Sequence, residues 1–314
     1  MQLTGLVKAL METAVQQNAE DIYVLPCGEE YEIRIRNAQG VTLYQRLASS
    51  TAEKLFVHFK YLADMDVSEV RKPQLGSCDY PLTEAVRLRI STVADFQLRE
   101  SMVIRLLRHN ELRLCYATDL APLQATANRR GLHLFAGPVS SGKTTLMYHL
   151  ASCHQFQQVI TIEDPVELIH DAFLQLQVSQ AIGIDYESLI KLSLRHHPDL
   201  LIIGEIRDEQ TAQMAIRAAL TGHVVYATIH AKSTKGILAR LKELQVSEHE
   251  LLESLQSVTY QRLLPFLDGS VQVVTASSIG REVYTTDDSH WNKQITDLQQ
   301  TGRIASSVAV RETL

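Results

Sequence analysis

Residues 132–145 read LHLFAGPVSSGKTT, an apolar run followed at once by a loop of small residues. The apolar run predicts a buried strand, and the loop matches the strand–GxxxxGK(S/T)–helix pattern of a phosphate-binding P-loop. Gly137 and Gly142 let the backbone curl so that successive N–H groups face phosphate oxygens. A plain Gly/Ser turn is the alternative, but the flanking strand and the helix-forming run 145–150 favour phosphate binding.

The side chains at the end of this loop indicate which phosphate compound it binds. Lys143 is placed to reach β- and γ-phosphates, and the Thr144 hydroxyl can hold Mg²⁺. We therefore predict a site for ATP and Mg²⁺. The predicted nucleotide-binding residues are Gly137, Pro138, Val139, Ser140, Ser141, Gly142, Lys143, Thr144 and Thr145.

Length, charge and cysteine use narrow the class of protein. A chain of 314 residues is too long for one typical core and predicts two domains. A net charge of −6 argues against a protein whose main task is to coat nucleic acid, so we expect no strong direct nucleic-acid binding. The cysteines lie far apart without a CxxC pair, which fits a reducing cytosol and predicts no structural zinc.

The chain shows no sequence signal for membrane insertion. No stretch approaches the ~18 apolar residues that a spanning helix needs. Residues 1–22 have apolar side chains at helical spacing and are interrupted by acids, unlike a signal peptide. We expect a cytoplasmic protein that reaches a membrane through a partner or a surface patch.

Hydrophobic periodicity divides the chain into two domains and a linker. Two amphipathic helices and six strand-like runs over residues 1–108 predict a small α+β domain, and the polar stretch 109–130 predicts a linker. From residue 131, buried strands alternate with helices, which predicts an α/β domain over 131–314 with a parallel sheet covered on both faces. Near its end we expect a helix over 248–261.

Two acidic residues follow predicted strands, where ligands bind in such sheets. Residues 163–167 read EDPVE, and Glu163 could orient or deprotonate an attacking water. A solvated acidic loop is the alternative. Glu205 ends the apolar run 199–204 in the Walker-B manner and could reach Mg²⁺ through a water, although an acid after an apolar strand is common.

Two histidines bracket the next predicted strand. His223 and His230 flank the run 224–229, and beside a P-loop such a pair could sense a γ-phosphate. A lone histidine is more often a structural residue, so the pair alone does not decide between the two.

Taken together, the four motifs resemble the ATPases of the type II secretion and type IV pilus group. That family has GPTGSGKTT, EDPIE, IGEIRD and TGHLVLSTLH, and this chain has GPVSSGKTT, EDPVE, IGEIRD and TGHVVYATIH in the same order. The N-terminal segments EDIYVLP and RKPQLG are similar to the family's SDIHIEP and RRPQDG. The resemblance covers roughly residues 17–280, and Ser140 stands where the family has glycine.

The resemblance implies a RecA-like P-loop ATPase core preceded by a PAS-like α+β domain. It makes Glu163 the catalytic carboxylate and Glu205 the Walker-B acid that binds Mg²⁺. Arginines of the N-terminal domain would reach the nucleotide of their own or a neighbouring subunit, the alternative being exposed charges on a strand. The residues it assigns to catalysis are Glu163, Glu205, His223, His230, Arg89 and Arg105.

The same resemblance implies partners and a branch of the family. The chain lacks the tetracysteine zinc insertion and the AIRNLIRE segment of other branches, and it is similar to the short competence ATPases of Gram-positive bacteria. We expect a homo-hexamer on the inner face of the cell membrane. It would act through a polytopic membrane platform protein, and indirectly on pilin-like subunits, to assemble a competence pseudopilus for DNA uptake. The alternatives are type II secretion, pilus extension or retraction, a RecA-like nucleic-acid motor and a non-catalytic scaffold.

Overall fold

Two separate sheets organise the chain in the computed structural model. The structure describes residues 3–37, 39–82, 86–107, 115–179, 183–285 and 287–314. The chain divides into one unit over Met1–Asn110 and a second over Glu111–Leu314, each with its own buried core. This division begins the second unit earlier than the predicted boundary at residue 131.

The first unit is a six-stranded antiparallel sheet packed against two helices. In chain order its elements are α1 (Leu3–Gln16), β1 (Asp21–Cys27), β2 (Glu30–Asn37), β3 (Gly40–Ala48), α2 (Ser49–Leu62), β4 (Gln74–Tyr80), β5 (Val86–Ala94) and β6 (Glu100–Leu107). The sheet order is β3-β2-β1-β6-β5-β4. The buried side chains of α1 recur at helical spacing and pack with those of α2 and the sheet, so the predicted α+β domain is confirmed.

The second unit is a seven-stranded, mostly parallel sheet. Its elements are α3 (Ala121–Gln124), β7 (Gly131–Ala136), α4 (Lys143–Ser152), β8 (Val159–Glu163), β9 (Phe173–Gln177), α5 (Tyr186–Leu194), β10 (Leu200–Ile206), α6 (Glu209–Leu220), β11 (Val224–Ile229), α7 (Thr234–Glu243), α8 (Glu248–Ser254), β12 (Leu255–Pro265), β13 (Val271–Ile279), a 3-10 helix (Gly280–Thr285), α9 (Ser289–Gln300) and α10 (Ser306–Glu312). The strand order is β13-β12-β7-β11-β10-β8-β9, and only the β12–β13 pair is antiparallel.

The strands of this sheet are buried on both faces. One face packs against α4 and contributes Phe135, Ile202 and Tyr226 to one core, while the other packs against α6 and its neighbours. Because β7, β8, β10 and β11 are parallel, their carboxyl ends lie at the same edge of the sheet. Ligands bind at that edge in open parallel sheets.

Two sequence predictions differ from the structure. The helix expected over 248–261 ends at Ser254, and residues 255–265 form β12 instead, because the β-branched and aromatic side chains of Val258, Thr259 and Tyr260 lie in a central strand. The described part of the expected linker, residues 115–130, packs on the second unit: the Ala117 N–H donates to Val273 O, and Leu123 is buried. No helix among the described residues is long and apolar enough to span a bilayer.

Candidate nucleotide-binding site

The loop after β7 has the backbone geometry of a phosphate cradle. Gly137 and Gly142 have φ angles of 151° and 84°, which favour glycine. A Cβ on Gly137 would lie 2.3 Å from the carbonyl oxygen of Gln261 on β12, so only glycine permits this close approach. Gly142 directly precedes Lys143, the first residue of α4. The first N–H groups of a helix have no partner within it, and they favour an anion at this position.

The two serines of the loop occupy different environments. Ser140 is exposed and has a φ of 60°, so this departure from the family's glycine places a side chain on left-handed backbone. Ser141 is buried, and among the described residues its Oγ has no hydrogen-bond partner. The loop therefore has both a strained backbone position and an unsatisfied hydroxyl, as binding sites often do.

The Lys143 ammonium lies along the loop. It donates to the carbonyl oxygens of Gly137 at 3.0 Å and Pro138 at 2.8 Å. Burial lowers the pKa of Lys143, and the negative charges of Glu205 and Glu167 oppose that effect. The ammonium group of Lys143 is therefore held against the loop backbone, near the carboxylates of Glu205 and Glu167.

Glu163 is the last residue of β8 and is only 4% exposed. Its Oε1 accepts hydrogen bonds from Tyr148 Oη at 2.6 Å and from Thr161 Oγ1 at 2.7 Å. Burial raises the pKa of Glu163, and these donors oppose the rise. Glu163 is therefore packed against α4, the helix that begins at the P-loop, and does not belong to a solvated acidic loop.

Glu205 lies near the carboxyl end of β10 in a cluster of charges. Its Oε1 accepts from Arg207 Nη2 at 2.5 Å, and its Oε2 lies 3.5 Å from His230 Nε2. Arg207 also contacts Asp164 Oδ2 at 3.4 Å. Burial would raise the pKa of Glu205, but Arg207, His230 and Lys143 together lower it below its ordinary value. This carboxylate is therefore held ionised, the state that a Mg²⁺ ligand requires.

These residues fit a magnesium nucleotide. The glycine cradle and the first turn of α4 suit phosphate oxygens, and Lys143 supplies a positive charge. Thr144, half-buried in that first turn, and the ionised Glu205 would hold Mg²⁺ between them. The ion would neutralise the charge of the phosphates.

Comparison with known proteins identifies the family of this chain. The model of the family "Type II/IV secretion system protein" matches residues 2–313. The chain belongs to this family. It is 46% identical to competence protein ComGA of Streptococcus pneumoniae over 98% of both chains. It is 36% identical to competence protein ComGA of Bacillus subtilis, over 82% of this chain and 75% of the relative.

Solved structures confirm the fold. The crystal structure of the pilus retraction motor PilT with bound ADP matches 96% of this chain and 95% of its own at a TM-score of 0.77 and 21% identity. The Legionella pneumophila ATPase DotB matches 97% of this chain and 94% of its own at a TM-score of 0.70 and 19% identity. The predicted RecA-like core with a smaller N-terminal domain is therefore confirmed for this secretion-family chain.

The structure places the two predicted histidines of this family member at opposite edges of the sheet. His230 follows β11 at the P-loop edge, whereas His223 precedes it, about 23 Å away along the strand. The Nδ1 of His223 lies 3.1 Å from Thr221 Oγ1, and the residue lines a cavity of about 780 Å³ with Arg130 and His154. Within its own chain, therefore, His223 does not join the nucleotide site with His230.

The two predicted arginines are neighbours on the N-terminal sheet. Arg89 on β5 lies directly opposite Arg105 on β6. Arg105 Nε donates to the buried Asp21 at 2.8 Å, whereas Arg89 forms no ion pair among the described residues. Arg105 is therefore held by an ion pair within its own domain, whereas Arg89 has no such constraint among the described residues.

The sequence did not reveal that Gln261 contacts the P-loop. This residue of β12 is fully buried, and its Nε2 donates to the Ser141 carbonyl oxygen at 2.6 Å. Its position was predicted as the end of a helix, so its contact with a loop 120 residues earlier in the chain had no local signal. The pairing of β12 with β7 in the structure places it beside the loop.

Proposed function

We propose that this chain is an ATPase motor that powers assembly of a competence pseudopilus, a type IV-like filament used in DNA uptake. The observation that carries the proposal is the arrangement at one edge of the sheet: the Lys143 loop, Glu163, and Glu205 with His230. The family supports ATP hydrolysis, and the similarity over almost the whole length of a competence protein supports the competence role.

Each of these residues has a chemical task in the proposed reaction. Lys143 would bind the β- and γ-phosphates, and Glu205 and Thr144 would hold Mg²⁺. Glu163 orients and deprotonates the attacking water. His230, 3.5 Å from the Glu205 carboxylate, senses the γ-phosphate through that acid. Arg89 and Arg105 supply positive charge from the N-terminal domain.

The motor acts as a homo-hexamer on the inner face of the cell membrane. It passes its motion to a polytopic membrane platform protein and only indirectly to pilin-like subunits. Hydrolysis state and domain position are coupled in this proposal, because each site needs an arginine from a separate domain. Type II secretion and pilus extension or retraction are the alternatives within the same family.

A substitution of Glu163 tests this function. We expect Glu163→Gln to bind ATP like the wild type but to turn it over about 10²–10⁴-fold more slowly, because the base is lost while size and hydrogen bonding are kept. In a competent cell, the variant should make the pilin precursor but assemble no surface pilin and take up no DNA. Glu187→Gln on α5, a partly exposed acid paired with Lys191, is the matched control.

Three outcomes would contradict the proposal. Wild-type turnover in Glu163→Gln would move the base elsewhere, with Glu167 as the next residue to test. Normal surface pilin with a hydrolysis-dead protein would reject the assembly role. A several-fold rise of the ATPase rate on addition of DNA would favour a nucleic-acid motor instead.

A further inference from the structure

The hydrogen bonds to the Glu163 carboxylate all reach one of its two oxygens. Tyr148 Oη, Thr161 Oγ1 and Gln175 Nε2 lie 2.6, 2.7 and 3.5 Å from Oε1. In the part of the chain that the structure describes, no hydrogen bond reaches Oε2. One oxygen is therefore anchored by two short hydrogen bonds from hydroxyl groups, with the Gln175 amide close by, while the other keeps its lone pairs for a further partner.

The donors are themselves fixed. Gln175 Nε2 donates to Tyr148 Oη at 2.9 Å and to the Leu168 carbonyl oxygen at 2.7 Å, so the phenol accepts one hydrogen bond and donates another. The Tyr148 ring is fully buried and packs edge-on against Phe173 at 5.2 Å. A hydroxyl on such a ring has little freedom to leave the carboxylate.

The position of Tyr148 in the chain connects this network to the P-loop. Tyr148 lies on α4 five residues after Lys143, about 7.5 Å along the helix axis. One rigid helix therefore carries both the phosphate-binding lysine and the donor to Glu163.

We propose that Tyr148, supported by Thr161 and Gln175, is a positioning residue that holds Oε1 of Glu163 so that Oε2 faces the attacking water. This inference rests on the proposed function, in which Glu163 acts on that water. Tyr148 itself touches neither nucleotide nor water in this proposal. Its effect is to fix the direction of the base relative to the phosphate loop, where a small misplacement slows the reaction strongly.

A second effect acts in the same direction. Burial raises the pKa of Glu163, and the hydrogen bond from Tyr148 opposes that rise. Without the phenol, the carboxyl would be less well oriented, and its pKa would rise further, so that a smaller fraction of it would be ionised and able to accept a proton.

The test is Tyr148→Phe, which removes one oxygen and keeps the ring. We expect kcat for ATP hydrolysis to fall by about 10- to 100-fold, as for loss of a hydrogen bond to a charged group, with KM and the Kd of a non-hydrolysable ATP analogue within about twofold. The matched control is Tyr226→Phe. Tyr226 is also buried in this core, but its hydroxyl donates to the Ala127 carbonyl oxygen at 2.8 Å, away from Glu163.

A purely structural role predicts that both tyrosine variants lose stability and activity alike. Equal falls in kcat for Tyr148→Phe and Tyr226→Phe, or an unchanged kcat in folded Tyr148→Phe, would overturn the inference. If Tyr148→Phe does not fold, Thr161→Val removes another donor to the same oxygen at nearly constant volume and makes the same test.

A double variant separates this inference from the proposed function. If Glu163 is the base, Tyr148→Phe should cause no further loss in a Glu163→Gln background, because both act through one carboxylate. An additive loss would overturn the positioning role while leaving Glu163 as the base. Wild-type turnover in the single variant Glu163→Gln would instead reject the base assignment, and the inference with it.

Discussion

His133 is a buried histidine whose protonation couples the stability of the fold to pH. It lies on β7 and is fully buried. Its Nε2 is 2.9 Å from the Arg129 carbonyl oxygen and must donate there, so Nδ1 accepts from Ser257 Oγ at 2.8 Å. Burial lowers the pKa of His133 to about 4, and the ring is neutral at pH 7.

We expect this histidine to make the fold sensitive to acid. Because its pKa is about 4 in the folded chain and about 6.5 in the unfolded chain, its contribution is complete above pH 6.5 and is lost as the pH falls toward 4. Between pH 7 and pH 5 the loss is about 2 kcal/mol of unfolding free energy. Urea unfolding at the two pH values should show a loss about 2 kcal/mol smaller in His133→Gln than in the wild type.

The exposed residue His249 on α8 provides the control for that measurement. His249→Gln should lose as much stability between the two pH values as the wild type does. Equal losses in His133→Gln and the wild type would contradict the expected role of the buried ring.

At the scale of residues, the sequence predicted the groups that bind phosphate but not those that hold the acids. The P-loop is contiguous, so its spacing alone specifies the chemistry. Tyr148 and Gln175 contact Glu163 only because α4 and β9 pack beside β8, and no local pattern marks them. The separation of His223 from His230, by contrast, follows from their positions at the two ends of a strand that the sequence itself predicted.

At the scale of elements, β12 is the support on which the P-loop rests. Its backbone passes so close to Gly137 that a Cβ has no room, and its Gln261 side chain binds the Ser141 carbonyl oxygen. The strand also pairs in parallel with β7, from which the loop emerges. The strand that leads into the P-loop and the strand that contacts the loop are therefore neighbours in one sheet.

We expect Gln261→Leu to weaken nucleotide binding. The substitution leaves the buried Ser141 carbonyl without its side-chain donor, at a cost of about 1–3 kcal/mol, and loosens the loop. The Kd of an ATP analogue, measured by fluorescence titration, should rise by about tenfold. Thr259→Val on the same strand is the control, since Thr259 is buried but bonds Ser277 on β13. A similar loss of affinity in both variants would refute the support role.

The sequence pattern wrongly predicted a helix over the first part of β12. Ser247 and Glu250 form a capping box that predicts a helix from residue 248, but the apolar spacing that follows did not show where the helix stops. The change to a strand at Leu255 comes from tertiary pairing with β7 and β13, which overrides local propensity. The strands that end in motifs were predicted correctly because their apolar runs are short and flanked by polar turns.

At the scale of the whole molecule, catalysis in the proposed motor joins two units that fold around separate cores. Removal of Arg105 would leave the buried Asp21 without its partner, so a loss of activity in that variant would mix stability with chemistry. Arg89 is the better probe of the contribution of the N-terminal domain.

We expect subunits carrying Arg89→Ala and subunits carrying Lys143→Ala to be inactive alone and to regain activity when mixed. If Arg89 acts across a subunit boundary, an equal mixture restores about a quarter of the sites, since half the lysines and half the arginines are intact. ATPase assays on mixed rings, whose formation is checked by size-exclusion chromatography, measure this.

The control mixture pairs Lys143→Ala with the double variant Lys143→Ala and Arg89→Ala, which contains no intact lysine. No regained activity in the test mixture, with mixed rings present, would place Arg89 within its own subunit or outside the reaction.

The strand β11 separates the two histidines of one sequence motif, because one precedes it and the other follows it. Its six residues are buried, and the strand pairs with β7 on one side and with β10 on the other. His230 at one end meets the acid beside the nucleotide, while His223 at the other end opens into a polar cavity on the far rim. A stretch that reads as one motif along the sequence therefore reaches from one edge of the sheet to the other.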